Sequence, residues 1–276
     1  MRLVCRSKVL DLTRPCVMGI VNVTPDSFSD GGLHYDRSVA IEAGLRMVAE
    51  GAAIIDVGGE STRPGAAPVS VQEEIDRVVP VIEGLAQRTD TVLSVDTSKP
   101  EVIRAAMAAG AHLVNDIRAL RAPGALAEAA RAQAAVCVMH MQGEPATMQA
   151  GPRYQDVVQE VREFLRERVA AALAAGIAPE SICVDPGIGF GKTLGHNLDL
   201  LRNVRAFTDL GGPVLIGVSR KSMIGIITGR PATDRLAGSL ALAALAVEHG
   251  AAIIRAHDVA DTVAAVRVAA AWNGSS

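Results

Sequence analysis

Aromatic residues are scarce in this chain of 276: they make up 3% of it, with a single tryptophan, Trp272. The core must therefore be assembled from alanine, valine, leucine and isoleucine, which suits parallel strands buried under alanine-rich helices. Net charge is scarce too, at −3, which argues against nucleic acid or an anionic membrane as the principal partner. The four cysteines, Cys5, Cys16, Cys137 and Cys183, lie far apart, with no CxxC pair and no zinc-ligand spacing. They read as reduced core thiols of a cytoplasmic protein. No apolar run approaches the roughly 18 residues of a membrane span. The opening MRLVCRSKVLDLTRP is broken by charges before a signal-peptide core of about 7–15 apolar residues can form. Acyl-transfer chemistry lacks a Ser–His–Asp or Cys–His arrangement near an elbow motif. PGIGFGKT (186–193) approaches a phosphate-binding loop, but Pro186 stands where the first glycine belongs, and its glycines also miss GxGxxG.

What the chain does have is a repeated unit. In EGAAIIDVGGE (50–60), AGAHLVNDI (109–117), AGIAPESICVDPG (175–187) and HGAAIIRAHD (249–258), a glycine is followed by a short apolar run that ends in polar residues. Glycine supplies the left-handed conformation that stops a helix, and the apolar run reads as a strand buried on both faces. CVMGIVNV (16–23), TVLSVD (91–96), AAVCVMH (134–140) and GPVLIGVSR (212–220) bring the strands to eight. Between them, VQEEIDRVVPVIEGLA (71–86) and residues 154–176 carry apolar residues at helical spacing, as at Val157, Val161, Leu165 and Val169. Eight strand–helix units without a composition shift predict one domain over 1–276, a (β/α)8 TIM barrel. A doubly wound open sheet is the alternative. LVCRSKVLDL reads as an N-terminal β-hairpin covering the barrel floor.

The polar residues fall at the C-terminal strand ends: Asn22, Asp56, Asp96, Asn115, His140, Asp185, Ser219-Arg220-Lys221, and Arg255 with His257. Parallel strands bring these ends to one face, where barrel active sites are built. Any one of them has a bland reading. Asp36 and Asp258 suit helix N-caps, and His140 alone suits a satisfied buried histidine. Eight together predict a site. Asp96 and Asp185, on the third and sixth strands, can each accept paired N–H donors from a flat amidine-like edge, and Asn115 adds a donor and an acceptor. Lys221, Arg255 and His257 follow the seventh and eighth strands, the usual phosphate quarter of this fold. The face thus reads as bipolar, with acceptors for a nitrogen-rich ring and cations for a phosphate tail.

One stretch, NVTPDSFSDGG (22–32), spends unusual polarity on a loop. Together with DVGGESTRPGA (56–66), SVDTSKPEV (94–102), VNDI (114–117), DPGIGFGKT (185–193), GVSRKSMIG (217–225) and IIRAHDV (253–259), it resembles the signature blocks of the dihydropteroate synthase family over essentially the whole chain. The resemblance leaves no stretch for a fused pterin pyrophosphokinase. It implies a folate-pathway transferase that joins 6-hydroxymethyl-7,8-dihydropterin pyrophosphate to p-aminobenzoate, with Mg2+ as cofactor. It further implies that Asp96, Asn115, Asp185 and Lys221 hold the pterin, while Asn22, Thr62, Arg63, Arg255 and His257 hold pyrophosphate, Asn22 also touching Mg2+. Phe28, Thr62, Pro64, Phe190, Ser219 and Ser222 would line the p-aminobenzoate pocket, where sulfonamides compete. Asp26, Phe28, Asp30, Arg63, Lys221, Arg255 and His257 would serve catalysis. On this reading NVTPDSFSDGG and STRPGA (61–66) are two lids, the first hinged at Gly31 and Gly32. The family also implies a homodimer, and Trp272 suits either core or interface. A pterin-dependent methyltransferase barrel and a non-catalytic pterin-binding paralogue are the rival readings.

Overall fold

The computed structural model describes residues 1–24, 33–61, 67–145 and 147–274, with the backbone alone for 33–36. Strands β1 (Arg2–Cys5) and β2 (Lys8–Asp11) form an antiparallel hairpin. The barrel strands follow: β3 (Cys16–Asn22), β4 (Ile54–Gly58), β5 (Val92–Asp96), β6 (Leu113–Asp116), β7 (Ala135–Met139), β8 (Ile182–Asp185), β9 (Leu215–Gly217) and β10 (Ile253–Ala256). They pair in parallel in the order β8-β7-β6-β5-β4-β3-β10-β9. A parallel bridge between Val184 and Val214 joins the two ends, with Val184 N donating to Pro213 O at 3.0 Å. The predicted barrel therefore forms, and the open sheet does not.

One strand is shorter than its sequence promises. The run 212–220 contributes ladder only over Leu215–Gly217. Pro213 has no N–H to give, and Gly212 lies so close to the Ile182 carbonyl that a Cβ would overlap it.

Helices α1 (Leu33–Ala49), α2 (Val71–Ala86), α3 (Pro100–Ala108), α4 (Ala125–Arg131), α5 (Val157–Ala174), α6 (Leu194–Arg202), α7 (Ser222–Thr228), α8 (Leu236–Glu248) and α9 (Val259–Trp272) connect and cover the strands. The repeat glycines Gly51, Gly110, Gly176 and Gly250 all take positive φ just past helix ends, as predicted. Helix α2 spans the expected 71–86, capped by Ser70 Oγ accepting from Glu73 N at 3.2 Å. Helix α5 starts three residues later than the apolar spacing suggests, because Asp156 Oδ1 caps it by accepting from Val158 N (3.0 Å) and Gln159 N (3.1 Å). Val157, Val161, Leu165 and Val169 form its buried face. Among the described residues no helix is long and apolar enough to cross a membrane, and all four cysteines are free thiols.

Side-chain alternation along the strands sorts the interior into layers. One set, including Val57, Val95, Val114, Val138 and Ile254, packs outward against the helices. The other set begins with Met18, Ile54, Val92, Leu113, Cys183, Leu215 and Ile253, which pack on Leu3, Cys5 and Leu12 from the hairpin region. The hairpin thus plugs the floor with apolar groups, as the sequence suggested. Two residues further along five of these strands, β4, β5, β6, β8 and β10, the inward positions turn polar.

Candidate active site

Above the apolar plug, the inward layer holds Asp56, Ser94, Asn115, Asp185 and Arg255. Arg255 is its hub. Its Nε donates to Asp56 Oδ2 and its Nη2 to Asp96 Oδ2, each at 2.7 Å. Asn115 Nδ2 donates to the same Asp56 oxygen at 2.9 Å. Asp56 has no exposed surface, so its charge is tolerated only because a cation and an amide face it. Burial pushes the Asp96 carboxyl up to about 7; Arg255 opposes that shift and Asp56 adds to it. Burial disfavours the Arg255 cation, but Asp56 and Asp96 outweigh it and hold the guanidinium more firmly protonated than usual.

This corrects the bipolar picture. Arg255 does not stand apart in a phosphate quarter; it is clasped among the acceptors, since buried carboxylates require a counter-charge at contact distance. Asp56, a strand end to which the family resemblance attaches no role, is thus central to the clasp. Its signal was there: an acidic group one strand alternation above Ile54 in an otherwise apolar run.

On the opposite wall, Asp185 ends β8, and its Oδ1 accepts from Gly187 N at 2.7 Å. Burial raises its carboxyl, with the Gly187 amide and Lys221 opposing. Lys221 donates to the Ile188 carbonyl and sits 4.3 Å from the centre of the Phe190 ring. Burial pushes its amine down to about 8; Asp185 pulls it up and Arg255 pushes it further down. Lys221 is thus tied to the loop after β8, while Asp185 and Arg255 stand at the C-terminal ends of β8 and β10. Phe190 packs with Met139, Met141, Met148 and Ile117, giving this wall an apolar rim.

Behind that wall lies Lys192, buried with 3% of its surface exposed. Its Nζ lies 2.9 Å from His140 Nδ1 and donates to Gly187 O and Phe190 O, each at 2.9 Å. His140 is itself buried, its ring packed edge-on against Phe164, which bears out its bland reading.

At the mouth, Ser219 Oγ accepts from His257 N at 3.2 Å and lies 3.0 Å from His257 Nδ1. Ser219 thus meets both the backbone and the ring of His257 through one hydroxyl, which can donate as well as accept. Ser222 is exposed at the start of α7, beside Lys221. Asp258 stands at the N-cap position of α9, but its side chain does not cap. It pairs with Arg220 instead, Nε to Oδ2 at 3.0 Å, because the ion pair across the loop outcompetes a single amide bond.

Asn22 ends β3 beside Gly58. Its Oδ1 and Asp96 Oδ2 lie 3.9 and 3.8 Å from the point where a Cβ on Gly58 would stand, so both oxygens look into a space that glycine keeps open. Asp26, Phe28, Asp30, Gly31 and Gly32 of the first loop, and Thr62, Arg63 and Pro64 of the second, lie outside the described residues, as does the side chain of Asp36. The ends of the second loop are described, and they are tied together. Lys99 Nζ donates to Glu60 Oε2 (3.0 Å) and Val69 O (2.7 Å), and Val69 N donates to Glu60 Oε1 at 3.0 Å. Glu74, wholly buried, completes that ion-paired cluster. Nothing in the sequence marked Lys99, Glu60 or Glu74, since their contact joins two separate strand–helix units, β4–α2 and β5–α3.

The donor set suits Mg2+ poorly as a resident ion and well as a companion of a phosphate ligand. Among the described residues no group of three His, Cys, Asp or Glu side chains is arranged to hold a metal. Asn22 offers a neutral amide oxygen at the mouth, and Mg2+ commonly takes one or two protein oxygens plus phosphate oxygens.

Comparison with known proteins agrees with this geometry. The profile of the pterin binding enzyme family matches residues 18–257. The dihydropteroate synthase of Escherichia coli K12 is 54% identical over 268 residues, covering 97% of this chain and 95% of that one. The crystal structure of the Yersinia pestis dihydropteroate synthase with a sulfonamide drug complex superposes with a TM-score of 0.94 at 52% identity, covering 99% of this chain and 100% of that one. The Xanthomonas albilineans dihydropteroate synthase in complex with 7,8-dihydropteroate gives 0.90 at 50% identity, with 99% of each chain covered.

Proposed function

Because this chain belongs to the pterin binding enzyme family and matches its dihydropteroate synthases along nearly its whole length, we propose that its barrel mouth condenses 6-hydroxymethyl-7,8-dihydropterin pyrophosphate with p-aminobenzoate. The chain is a transferase of folate biosynthesis. The observation that carries the reading is the clasp of Arg255 by Asp56 and Asp96, with Asn115 on the same Asp56 oxygen and Lys221 tied to the loop that follows Asp185.

Asp96, Asn115 and Asp185 present carboxylate and amide groups to the N–H edge of a flat heterocycle. When the pterin takes Asp96, the guanidinium keeps Asp56 as partner and turns an N–H toward the departing pyrophosphate. Lys221 lies between Asp185 and the Phe190 ring, and adds positive charge at the same side. The arylamine nucleophile is neutral near pH 7, so no strong base is needed, in keeping with the lack of a triad. The difficult step is loss of a highly charged anion from a methylene that the electron-rich dihydropterin stabilises as a cation, an SN1-like path. Fixed positive groups lower that barrier, and the apolar rim of Phe190 and its methionines keeps water from the cation. Mg2+ bound to the pyrophosphate, with Asn22 as a protein oxygen ligand, would neutralise leaving-group charge. Phe190, Ser219 and Ser222 border the space for p-aminobenzoate, the position for which a sulfonamide would compete.

Incubating the protein with both substrates and Mg2+ should yield dihydropteroate and pyrophosphate, and chelating the metal should suppress turnover. Pterin binding without product would instead identify a non-catalytic paralogue. Added sulfonamide should raise the apparent KM for p-aminobenzoate; indifference to the drug would count against the pocket assignment.

The second feature of the proposal is a homodimer. Ile226 and Ile227 on α7, Leu245 on α8, and Val268 and Trp272 on α9 expose large apolar side chains, Trp272 to 84%. Helix α8 packs on both α7 and α9, so these groups belong to one side of the barrel, and an exposed apolar face of this kind suits a second copy of the chain. Sedimentation should show a dimer at micromolar concentration, and Trp272→Asp should shift it toward monomer. A monomeric wild type would remove the assignment.

A further inference from the structure

Lys192 is a buried cation that the chemistry above does not use. We propose that it is a positioning residue for the pterin pocket: its ammonium, fanned between the end of β7 and the loop after β8, holds residues 187–190 in the shape that aims Asp185 and Lys221 at the heterocycle. The inference deepens the synthase reading and rests on it.

The loop has two sides. Toward the cavity, Gly187 N–H donates to Asp185 Oδ1 at 2.7 Å, the Ile188 carbonyl accepts from Lys221, and the Phe190 ring lies 4.3 Å from Lys221 Nζ. Away from the cavity, the carbonyls of Gly187 and Phe190 both accept from Lys192 at 2.9 Å. The same residues that orient the binding groups are therefore the ones that Lys192 grips. Other side chains hold the loop's outer half: Asn197 Oδ1 accepts from Gly189 N at 2.6 Å, and Tyr154 Oη donates to Gly191 O at 2.9 Å. Among the described residues, Lys192 is the side chain that reaches the carbonyls of Gly187 and Phe190.

Charge follows from the hydrogen-bond count. Three acceptors, His140 Nδ1 and the two carbonyls, stand 2.9 Å from Nζ, and the His140 carbonyl is a fourth at 3.3 Å. An ammonium has three hydrogens for them. A neutral amine would have two, with a lone pair aimed at another acceptor, so although burial pushes Lys192 down to about 7, the site is built for the cation. His140 can accept because burial and Lys192 together push its pKa down to about 3, which keeps it neutral. The backbone must come close for this to happen. Gly187 and Gly191 take φ of +70° and +62°, and a Cβ on either would overlap the His140 or Gln142 carbonyl oxygen. The glycines of PGIGFGKT thus have a structural reason to recur: Gly187 and Gly191 let the loop lie flat on the end of β7.

The test is Lys192→Met, which keeps length and apolar bulk but removes every donor. Losing a set of charge-assisted hydrogen bonds should raise the KM for dihydropterin pyrophosphate about 10-fold or more, while the KM for p-aminobenzoate changes by less than about 3-fold. Calorimetric titration with 6-hydroxymethylpterin should show the same loss of affinity. His140→Phe, which keeps the ring packing on Phe164 but removes one acceptor, should give a smaller rise of roughly 3-fold with the same selectivity, and it serves as the deciding variant if Lys192→Met does not fold. Equal losses for both substrates, or pterin affinity unchanged in the folded variant, would overturn the proposal. If the wild type made no dihydropteroate, the synthase reading would fail, yet the pterin titrations would still report on Lys192.

Discussion

Arg255→Ala should lower turnover by roughly 10²-fold or more, the usual effect of deleting a group that stabilises charge as it develops. It should also lower stability. Arg255 is the counter-ion of Asp56, which has no exposed surface, and of Asp96. Removing one partner of a buried pair leaves the other uncompensated, at a cost on the order of 3 kcal/mol. The two effects are separable. In Arg255→Ala/Asp56→Asn the Asp56 charge disappears along with its partner, so thermal stability should recover in part, Asp96 still lacking its counter-ion, while turnover stays low. Steady-state kinetics and thermal melts of the single and double variants make the comparison. Near-normal turnover in the single variant would remove Arg255 from the chemistry.

Asp185→Asn should weaken pterin binding by roughly 30-fold, about 2 kcal/mol, as for a hydrogen bond to a charged group, and weaken p-aminobenzoate binding far less. The substitution is mild toward the loop, because the amide oxygen can still accept from Gly187 N. It is severe toward the ligand, because the amide NH2 can meet the N–H edge of the pterin donor to donor. Asp185 also supports the Lys221 ammonium, whose pKa burial depresses to about 8 even with that carboxylate present. With that carboxylate gone, Lys221 loses its proton at lower pH than in the wild type, so the defect should deepen as pH rises toward 8 and level off above it, where the wild-type amine is neutral as well. Calorimetric titration of each ligand at two pH values is the measurement. Equal losses for the two ligands would contradict the assignment of Asp185 to the pterin.

The strand ends that compose the site were legible because a parallel barrel gathers all eight on one face, so polar groups after apolar runs were bound to meet there. Asp96, Asn115, Asp185, Lys221 and Arg255 were found in this way. Which of them touch was not legible. The clasp of Arg255 by Asp56 and Asp96 joins residues 199 and 159 positions apart, and their pairing depends on which strand ends face one another across the barrel. Lys192 and Lys99 were missed for a related reason. Each looked like an ordinary charged residue near a helix start, and only packing sets Lys99 against Glu60 and Glu74, and Lys192 against His140, from neighbouring units.

By itself, then, the amino-acid order determined the strand–helix repeat, the glycine helix stops, the floor hairpin and the set of polar residues at the mouth, because these follow from periodicity and backbone preference within short stretches. The tertiary structure alone decided that Arg255 lies among the acids rather than apart from them. Electrostatic pairing acts over a few ångströms in space and is indifferent to distance along the chain.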